Sequence, residues 1–339
     1  MPTFYNFKQD GNTHSFDDVF IPVDAFRQGN LWTWGSNPFG HLGTNDTTSR
    51  STPVTTIAGG TNWKQVSGGT YHTAAIKTDG TLWTWGYNPF GALGTNDTTD
   101  RAIPVTTFAG GTNWKQVSGG TYHTAAIKTD GTLWTWGRNA YVQLGTNDTT
   151  SRSTPVTTFA GGTNWKQVNC GYRYTVAIKT DGTLWTWGFN GQGQLGTNDT
   201  ATRSTPVTTF AGGTNWKQVN CGYYHAVAVK TDGTLWIWGV GENGQLGTND
   251  TTIRLTPVTT FAGGTNWKQV SGGYRHTTAI KTDGTLWTWG SGTSGQLGNN
   301  DNTNRLTPVT TFAGGTNWKQ VSGGNSNNTA AIEYIDSVL

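Results

Sequence analysis

Short stretches in which apolar and polar residues alternate follow one another along the whole chain, and clusters of Gly, Asn, Asp and Thr separate them. One representative unit contains four such stretches, at 63–66, 72–77, 82–85 and 104–107. Alternation with a period of two predicts strands, and the Asp-Gly pair at 79–80 is typical of a tight hairpin turn. Helical periodicity is absent, and the 49 glycines would oppose helix formation. The pattern therefore predicts four-stranded antiparallel units in an all-β chain.

The unit recurs six times at a constant spacing of 51 residues. The motif Leu-Trp-Thr-Trp-Gly begins at Leu31, Leu82, Leu133, Leu184, Leu235 and Leu286, with Ile237 replacing the threonine in the fifth copy. The motif Asn-Trp-Lys-Gln-Val places its tryptophan at 63, 114, 165, 216, 267 and 318, so the two motifs contain all 18 tryptophans. A repeat of this length, built from four-stranded sheets, predicts a β-propeller. We expect the tryptophans to fill the space between blades.

The two ends of the repeat array complement each other. It begins with a Leu-Trp-Thr-Trp strand and ends with a strand at 328–332, and pairing of the two would close the ring and remove exposed sheet edges. We therefore predict one propeller of six blades over residues 30–339, with closure between the N- and C-terminal strands. Residues 1–29 are predicted to be an attachment segment or an extra strand. Because residues 6–9 echo residues 62–65, a seven-bladed ring is the alternative.

A family resemblance rests on three motifs that follow one another in each unit. They are Trp-Gly-x-Asn-x-x-Gly-x-Leu-Gly, clear at 187–196, then a proline-led strand, then Val-x-x-Gly-x-x-His-Thr-x-Ala-Ile before Asp-Gly. This combination resembles the regulator of chromosome condensation repeat, and the near-identity of the copies favours a phage or bacterial-like member. The resemblance implies a propeller. It does not imply one activity, because the family includes exchange factors, photoreceptors, ubiquitin-ligase modules and enzyme inhibitors. The photoreceptor tryptophan motif is met at 273–277 with tyrosine in place of tryptophan, so light sensing is not implied.

Charge and composition exclude several function classes. Only 12% of the residues are charged, the net charge is +3, and the lysines are spread evenly through the repeats, so we predict no nucleic-acid binding. No apolar run is long enough to span a membrane, and residues 1–30 lack the order of a signal peptide, so we predict no membrane insertion. A virion or the bacterial cytoplasm is the predicted location.

Residues that could take part in catalysis or metal binding recur at equivalent positions of most copies, which argues against one asymmetric active site. The repeated histidine, as at His72, and the Asp of Thr-Asn-Asp-Thr, as at Asp46, are predicted to make structural hydrogen bonds. Cys170 and Cys221 occupy equivalent positions of neighbouring units, too far apart for a disulfide, and are predicted to be free thiols. No nucleophile elbow, phosphate loop or zinc pattern occurs. We predict no enzyme activity, no metal and no cofactor.

The copies differ mainly at two segments, residues 36–41 and 70–72 with their equivalents. Strand direction predicts that both lie on one face of the propeller, named here the variable face, while the Asp-Gly turns lie on the opposite, uniform face. Varied loops rich in aromatic residues on a rigid scaffold are typical of recognition surfaces, whereas neutral drift would have altered other loops as well. The predicted binding residues are Phe39, His41, Tyr71, Tyr87, Phe90, Tyr122, Arg138, Tyr141, Arg173, Tyr174, Phe189, Tyr224, Glu242, Tyr274 and Arg275.

Three functions are compatible with these observations. The first is a non-enzymatic binding or adhesion protein that holds a protein or glycan ligand on the variable face, specifically a phage virion component of tail-fibre or capsid-fibre type. Its N-terminal segment would attach to the virion or to an oligomer partner. The alternative is an intracellular protein-interaction regulator, such as an exchange factor or enzyme inhibitor. The third is a structural decoration protein whose loops merely drift.

Overall fold

The structure is a computed structural model that describes residues 3–6, 29–324 and 326–333. Near the N-terminus it contains β1 (Thr3–Asn6), β2 (Trp32–Gly35) and β3 (Arg50–Thr55). Blade 1 contains β4 (Trp63–Gly68), β5 (His72–Lys77), β6 (Leu82–Gly86) and β7 (Arg101–Thr106), and blade 2 contains β8 (Trp114–Gly119), β9 (His123–Lys128), β10 (Leu133–Gly137) and β11 (Arg152–Thr157). Blade 3 contains β12 (Trp165–Cys170), β13 (Tyr174–Lys179), β14 (Leu184–Gly188) and β15 (Arg203–Thr208). Blade 4 contains β16 (Trp216–Cys221), β17 (His225–Lys230), β18 (Leu235–Gly239) and β19 (Arg254–Thr259). Blade 5 contains β20 (Trp267–Gly272), β21 (His276–Lys281), β22 (Leu286–Gly290) and β23 (Arg305–Thr310), and β24 (Trp318–Ser322) and β25 (Ala330–Glu333) follow.

Every pair of neighbouring strands within a blade is antiparallel, and the strands follow sequence order from the inner to the outer edge. The described residues contain no helix, and therefore none that could cross a membrane. The prediction of an all-β propeller of four-stranded blades is confirmed. The outermost strand begins at Arg101 rather than at the predicted residue 104. Pro104 lies inside it, which an edge strand tolerates because one side of its backbone needs no partner.

The chain ends close the fold, as predicted, but through a different strand. β25 pairs with β24 on one side and with β1 on the other, and Phe4 lies opposite Ile332. The predicted partner strand, β2, pairs only with β3 among the described residues. The expected pairing of residues 328–332 with the first Leu-Trp-Thr-Trp strand is therefore wrong, because β1 occupies that edge of β25. The rest of the predicted N-terminal segment, residues 7–28, lies outside the described residues.

The apolar core lies between neighbouring blades. In the interface of blades 3 and 4, Val176 and Leu184 pack against Trp216 and Trp238, which are buried. Trp216 meets Trp238 edge-on with ring centroids 6.4 Å apart. The second tryptophan of each Leu-Trp-Thr-Trp motif in blades 1–5 is fully buried, as expected. The first is not, since Trp83 and its equivalents in blades 2–5 are half-buried and Trp32 is 51% exposed.

The inner strands are joined by a ladder of glutamine side chains. Gln65 on β4 donates from Nε2 to the carbonyl oxygen of Val117 on β8 at 2.9 Å, and its Oε1 accepts from the backbone N–H of Val117 at 3.2 Å. Equivalent bonds join β8 to β12, β12 to β16, and β16 to β20. The two cysteines are buried thiols that form no disulfide with each other, which confirms that prediction.

Candidate binding face

The two variable segments of the sequence meet on one face because of the strand directions. The β4–β5 turn of blade 1 and the β6–β7 loop both follow strands that run toward this face, and the backbone N–H of Tyr87 donates to the carbonyl oxygen of Tyr71 at 2.9 Å. The same bond joins Arg138 to Tyr122 at 2.8 Å in blade 2. The variable face predicted from strand direction is therefore present.

The long loops of this face are held by a repeated polar network. In blade 1 the Nδ2 of Asn88 donates to the carbonyl oxygen of Asp97 at 3.1 Å, and its Oδ1 accepts from the N–H of Leu93 at 2.9 Å. Asn96 adopts a positive φ of 66°, which asparagine tolerates better than most residues. Arg101 pairs with Asp97 at 2.7 Å. The predicted turn-supporting role of the Asn-Asp segment is confirmed.

The equivalent network in the first repeat lowers the pKa of the Asp46 carboxyl. The backbone N–H of Thr48 donates to Asp46 at 2.9 Å and is the main cause that lowers the pKa of this carboxyl, with Arg50 contributing. The loops therefore form a rigid base for the side chains that project from them.

Aromatic side chains of successive blades contact one another at the start of the variable face. Phe39 lies 4.2 Å from Tyr87 and 5.6 Å from Tyr71, measured between ring centroids. Tyr71 stacks on Tyr122 of blade 2 at 5.3 Å, and Phe90 meets Tyr122 edge-on at 5.4 Å. The loop of one sheet thus contacts the turn of the next.

Arginine side chains continue this line of rings. The guanidinium of Arg138 lies 4.7 Å from the centroid of Phe90 and 5.7 Å from that of Tyr141. Arg173 lies 4.0 Å from Tyr141 and 4.3 Å from Tyr172, and it donates to the Tyr172 hydroxyl at 2.6 Å. Stacking on aromatic faces orients a guanidinium while leaving its in-plane donors available.

The line ends on blades 4 and 5. Tyr172 stacks on Tyr223 with centroids 4.1 Å apart, and Tyr223 contacts Tyr274 at 4.5 Å. Arg275 lies 5.0 Å from the Tyr274 centroid and is exposed. We name the whole connected set the aromatic arc. Its members are Phe39, Tyr71, Tyr87, Phe90, Tyr122, Arg138, Tyr141, Tyr172, Arg173, Phe189, Tyr223, Tyr224, Tyr274 and Arg275.

Two arc residues were missed by the sequence-based selection, Tyr172 and Tyr223. Both occupy the position of Thr70, and this change from threonine to tyrosine between copies is the signal that could have identified them. Three selected residues lie outside the arc. Glu242 is exposed and makes no ring contact, whereas His41 and Tyr174 are buried.

Tyr174 takes the place of the repeated histidine in blade 3, so it faces the blade interface rather than solvent. Its hydroxyl donates to the carbonyl oxygens of Gly222, at 3.1 Å, and His225. His41 is enclosed, and burial lowers its pKa to about 4. Neither side chain can contact a ligand on the variable face, which corrects that part of the selection.

Burial and neighbouring tyrosines raise the pKa values of three arc tyrosines, Tyr122, Tyr223 and Tyr224. Burial is the main cause that raises the pKa of Tyr122 to about 12, and the neighbouring Tyr71 adds to it. Burial and then Tyr172 raise the pKa values of Tyr223 and Tyr224. These hydroxyls are therefore neutral hydrogen-bond donors at physiological pH.

The arc holds no catalytic or metal-binding arrangement. Over the residues the structure describes, no three His, Cys, Asp or Glu side chains come together as a group that could bind a metal ion. Stacked neutral phenols beside arginines can instead bind a surface by packing, hydrogen bonding and charge.

Comparison with known proteins identifies the family. Residues 30–334 match the family model described as the RCC1-like domain. The chain belongs to the RCC1-like domain family. Among its relatives, the ultraviolet-B receptor UVR8 of Arabidopsis thaliana is 35% identical over 284 residues, which are 82% of this chain and 64% of the receptor. The mitochondrial RCC1 domain-containing protein RUG3 of the same plant is 31% identical, over 80% of this chain and 63% of its own length.

Solved structures of other proteins show the same fold. Human WBSCR16 superposes with a TM-score of 0.78 at 21% identity, covering 90% of this chain and 82% of that protein. Prp20p of Saccharomyces cerevisiae, described together with its binding to Gsp1p and histones, superposes with a TM-score of 0.58 at 16% identity, covering 95% and 94% of the two chains. This chain spans less than two thirds of the length of either plant relative.

Proposed function

We propose that this RCC1-like propeller is a non-enzymatic protein-binding module that regulates a protein partner held on its variable face. One observation carries the proposal: the residues that differ most between otherwise near-identical repeats form one connected arc of aromatic and arginine side chains. Tyrosine and arginine are enriched among the residues that dominate protein–protein binding energy. The relative Prp20p, with its described binding to Gsp1p and histones, supports a protein partner.

This proposal follows the alternative hypothesis of the sequence analysis. Neither the geometry of the described residues nor the relatives supports a phage virion component, an adhesin or a glycan ligand. An exchange factor and an enzyme inhibitor both act by holding a protein, so either would use a surface of this kind. A structural decoration protein with drifting loops would have no need for the arginine–tyrosine contacts that connect blades 2 and 3.

The arc predicts the effect of charge reversal. Arg173→Glu with Arg275→Glu places carboxylates where guanidiniums now lie against Tyr141, Tyr172 and Tyr274. We expect partner affinity to fall at least about 30-fold, which corresponds to about 2 kcal/mol, the smallest loss that marks a single hot-spot side chain. Partners are to be identified by quantitative affinity capture from source cells with the full chain, and the affinity then measured calorimetrically with the purified proteins.

The matched control is Lys166→Glu with Lys268→Glu, which reverses two exposed charges on β12 and β20, away from the arc. It should retain the captured partners. Equal retention by the wild-type chain and both variants would refute the proposed surface. If the arc variant retained the partner and the lysine variant lost it, the binding site would lie on the opposite side of the ring.

A further inference from the structure

The uniform face carries an exposed apolar ring that the protein-binding proposal does not use. One large apolar side chain lies two residues after the end of each of β3, β7, β11, β15, β19 and β23: Ile57, Phe108, Phe159, Phe210, Phe261 and Phe312. The five phenylalanines are 66–75% exposed and Ile57 is 58% exposed. A single exposed apolar side chain is ordinary on a protein surface, whereas six at equivalent positions of one rigid ring can act together.

These side chains are presented by a fixed backbone. In the loop that joins blades 2 and 3, the N–H of Phe159 donates to the carbonyl oxygen of Gly145 at 2.8 Å, and the N–H of Gly161 donates to that of Thr158 at 3.0 Å. Trp165 then donates from Nε1 to the carbonyl oxygen of Gly161 at 2.8 Å. The same three bonds recur for Phe108, Phe210, Phe261 and Phe312. These bonds hold the backbone at each phenylalanine in one conformation.

The loops that carry the six apolar side chains all begin at the same end of the sheets, because each outer strand ends level with the start of the third strand. The outer strands run away from the variable face, so the residues that follow them lie beside the turns that join the second and third strands. In blade 2 this proximity is direct, because the carbonyl oxygen of Gly131 in that turn accepts from the N–H of Trp165, which follows the Phe159 loop, at 3.0 Å. The uniform face therefore has an outer circle of apolar side chains.

Basic side chains lie on the same face. Each inner strand begins with a buried tryptophan and then an exposed lysine, which are Lys64, Lys115, Lys166, Lys217, Lys268 and Lys319. No described inner strand contains a carboxylate. Five further lysines, such as Lys179, lie above two tryptophan rings, here at 4.7 Å from Trp165 and 4.3 Å from Trp185. The lysines outnumber the carboxylates of the adjoining Asp-Gly turns and Glu333.

We propose that the uniform face binds an anionic membrane surface, with the apolar side chains entering the headgroup region and the lysines contacting anionic lipids. Shallow aromatic insertion combined with basic residues is the chemistry of peripheral membrane contact. Several weak contacts on one rigid ring act together, which raises the overall affinity. A second copy of the chain fits less well, since face-to-face stacking would oppose lysine to lysine.

The test is sedimentation of the purified full chain with phosphatidylcholine vesicles that contain or lack about a third phosphatidylserine, at low and high salt. We expect binding to the anionic vesicles that weakens with salt, because screening acts on exposed charges. The variant Phe159→Ser, Phe210→Ser, Phe261→Ser should bind at least tenfold more weakly. The variant Lys166→Gln, Lys217→Gln, Lys268→Gln should lose most of the difference between anionic and neutral vesicles.

Arg138→Gln with Arg173→Gln is the matched control, because it alters the arc on the opposite face and should leave vesicle binding unchanged. Thermal melts check that the serine variant remains folded, which its exposed positions favour. Absence of vesicle binding by the wild-type chain, or wild-type binding by the folded serine variant, would overturn the proposal. So would a wild-type dimer, measured by analytical ultracentrifugation, that the serine substitutions dissociate. None of these results bears on partner capture by the arc.

Discussion

Acidification to about pH 5 is expected to lower the free energy of unfolding of this propeller by roughly 10 kcal/mol relative to about pH 7.5, enough to unfold a typical domain. Five buried histidines cause the effect: His41, His72, His123, His225 and His276. Burial is the main cause that lowers their pKa values, to about 4 for His41, His72 and His276 and about 3 for His123 and His225.

The hydrogen bonds explain why the neutral form is required. The hydroxyl of Thr175 donates its single proton to the carbonyl oxygen of Gln143 at 2.9 Å, so it must accept from Nε2 of His123, 3.0 Å away. The proton of the neutral ring is thus on Nε2. The Nδ1 of His123 is buried without a partner among the described residues, so a second proton there would be an unpaired buried charge.

The sign and the pH window follow from these values. Above about pH 7.5, one unit above the pKa of about 6.5 in the unfolded chain, the histidines are nearly all neutral in both states and contribute little pH dependence. Between that pH and the folded-state pKa values, only the unfolded chain gains protons, so stability falls as pH falls, by up to about 1.4 kcal/mol per pH unit for each histidine. Denaturant titrations monitored by tryptophan fluorescence across this range measure the slope.

His123→Gln with His225→Gln provides the control. Glutamine can still donate to Thr175 and Thr277 but does not titrate, so the variant, which keeps three of the five histidines, should show about three fifths of the wild-type slope. The perturbed carboxyl groups do not interfere, because their pKa values are lowered from 3.8 and act below this window. A wild-type slope in the variant, or no slope in either protein, would show that the buried histidines do not control acid stability.

Alanine at Gly131 is expected to destabilise the propeller by about 2 to 4 kcal/mol, from about 1 to 2 kcal/mol of backbone strain and a similar amount of overpacking. Gly131 lies in the turn between β9 and β10 with φ at +80°, and an added Cβ would lie 2.0 Å from the carbonyl oxygen of Thr163. Because the Gly131 carbonyl also accepts from Trp165 at 3.0 Å, relief of the clash would separate blades 2 and 3.

Gly161→Ala is the matched control in the same blade junction. Its φ is +52°, and no atom lies within 4 Å of the added Cβ, so only the backbone strain of about 1 kcal/mol remains. Denaturation midpoints of the two variants, measured in parallel, separate the clash from the strain. Equal losses would mean that the carbonyl of Thr163 moves aside without cost, contrary to the close packing of this turn.

The architecture was predictable because the repeat amplifies weak local signals. A single Trp-Lys-Gln-Val stretch is an ambiguous strand, but six copies in constant register identify the blade, its hairpin turn and the face on which its variable loops lie. The closure strand was not predictable in this way, since residues 3–6 resemble no strand of the repeat and their pairing with β25 depends only on which edge is available.

The candidate site, too, was predictable from the sequence only in part. By itself, the sequence determined the propeller, the order of strands within a blade, the absence of a disulfide between the cysteines and the loops that vary, because each of these follows from local pattern and spacing. Only the tertiary structure decided which side chains of those loops meet. Tyr174 and its neighbour Tyr172 are two residues apart, yet one is buried between blades and the other stacks on Tyr223 of the next blade. Contact between residues about 51 positions apart depends on how neighbouring blades pack, and sequence period alone does not specify it.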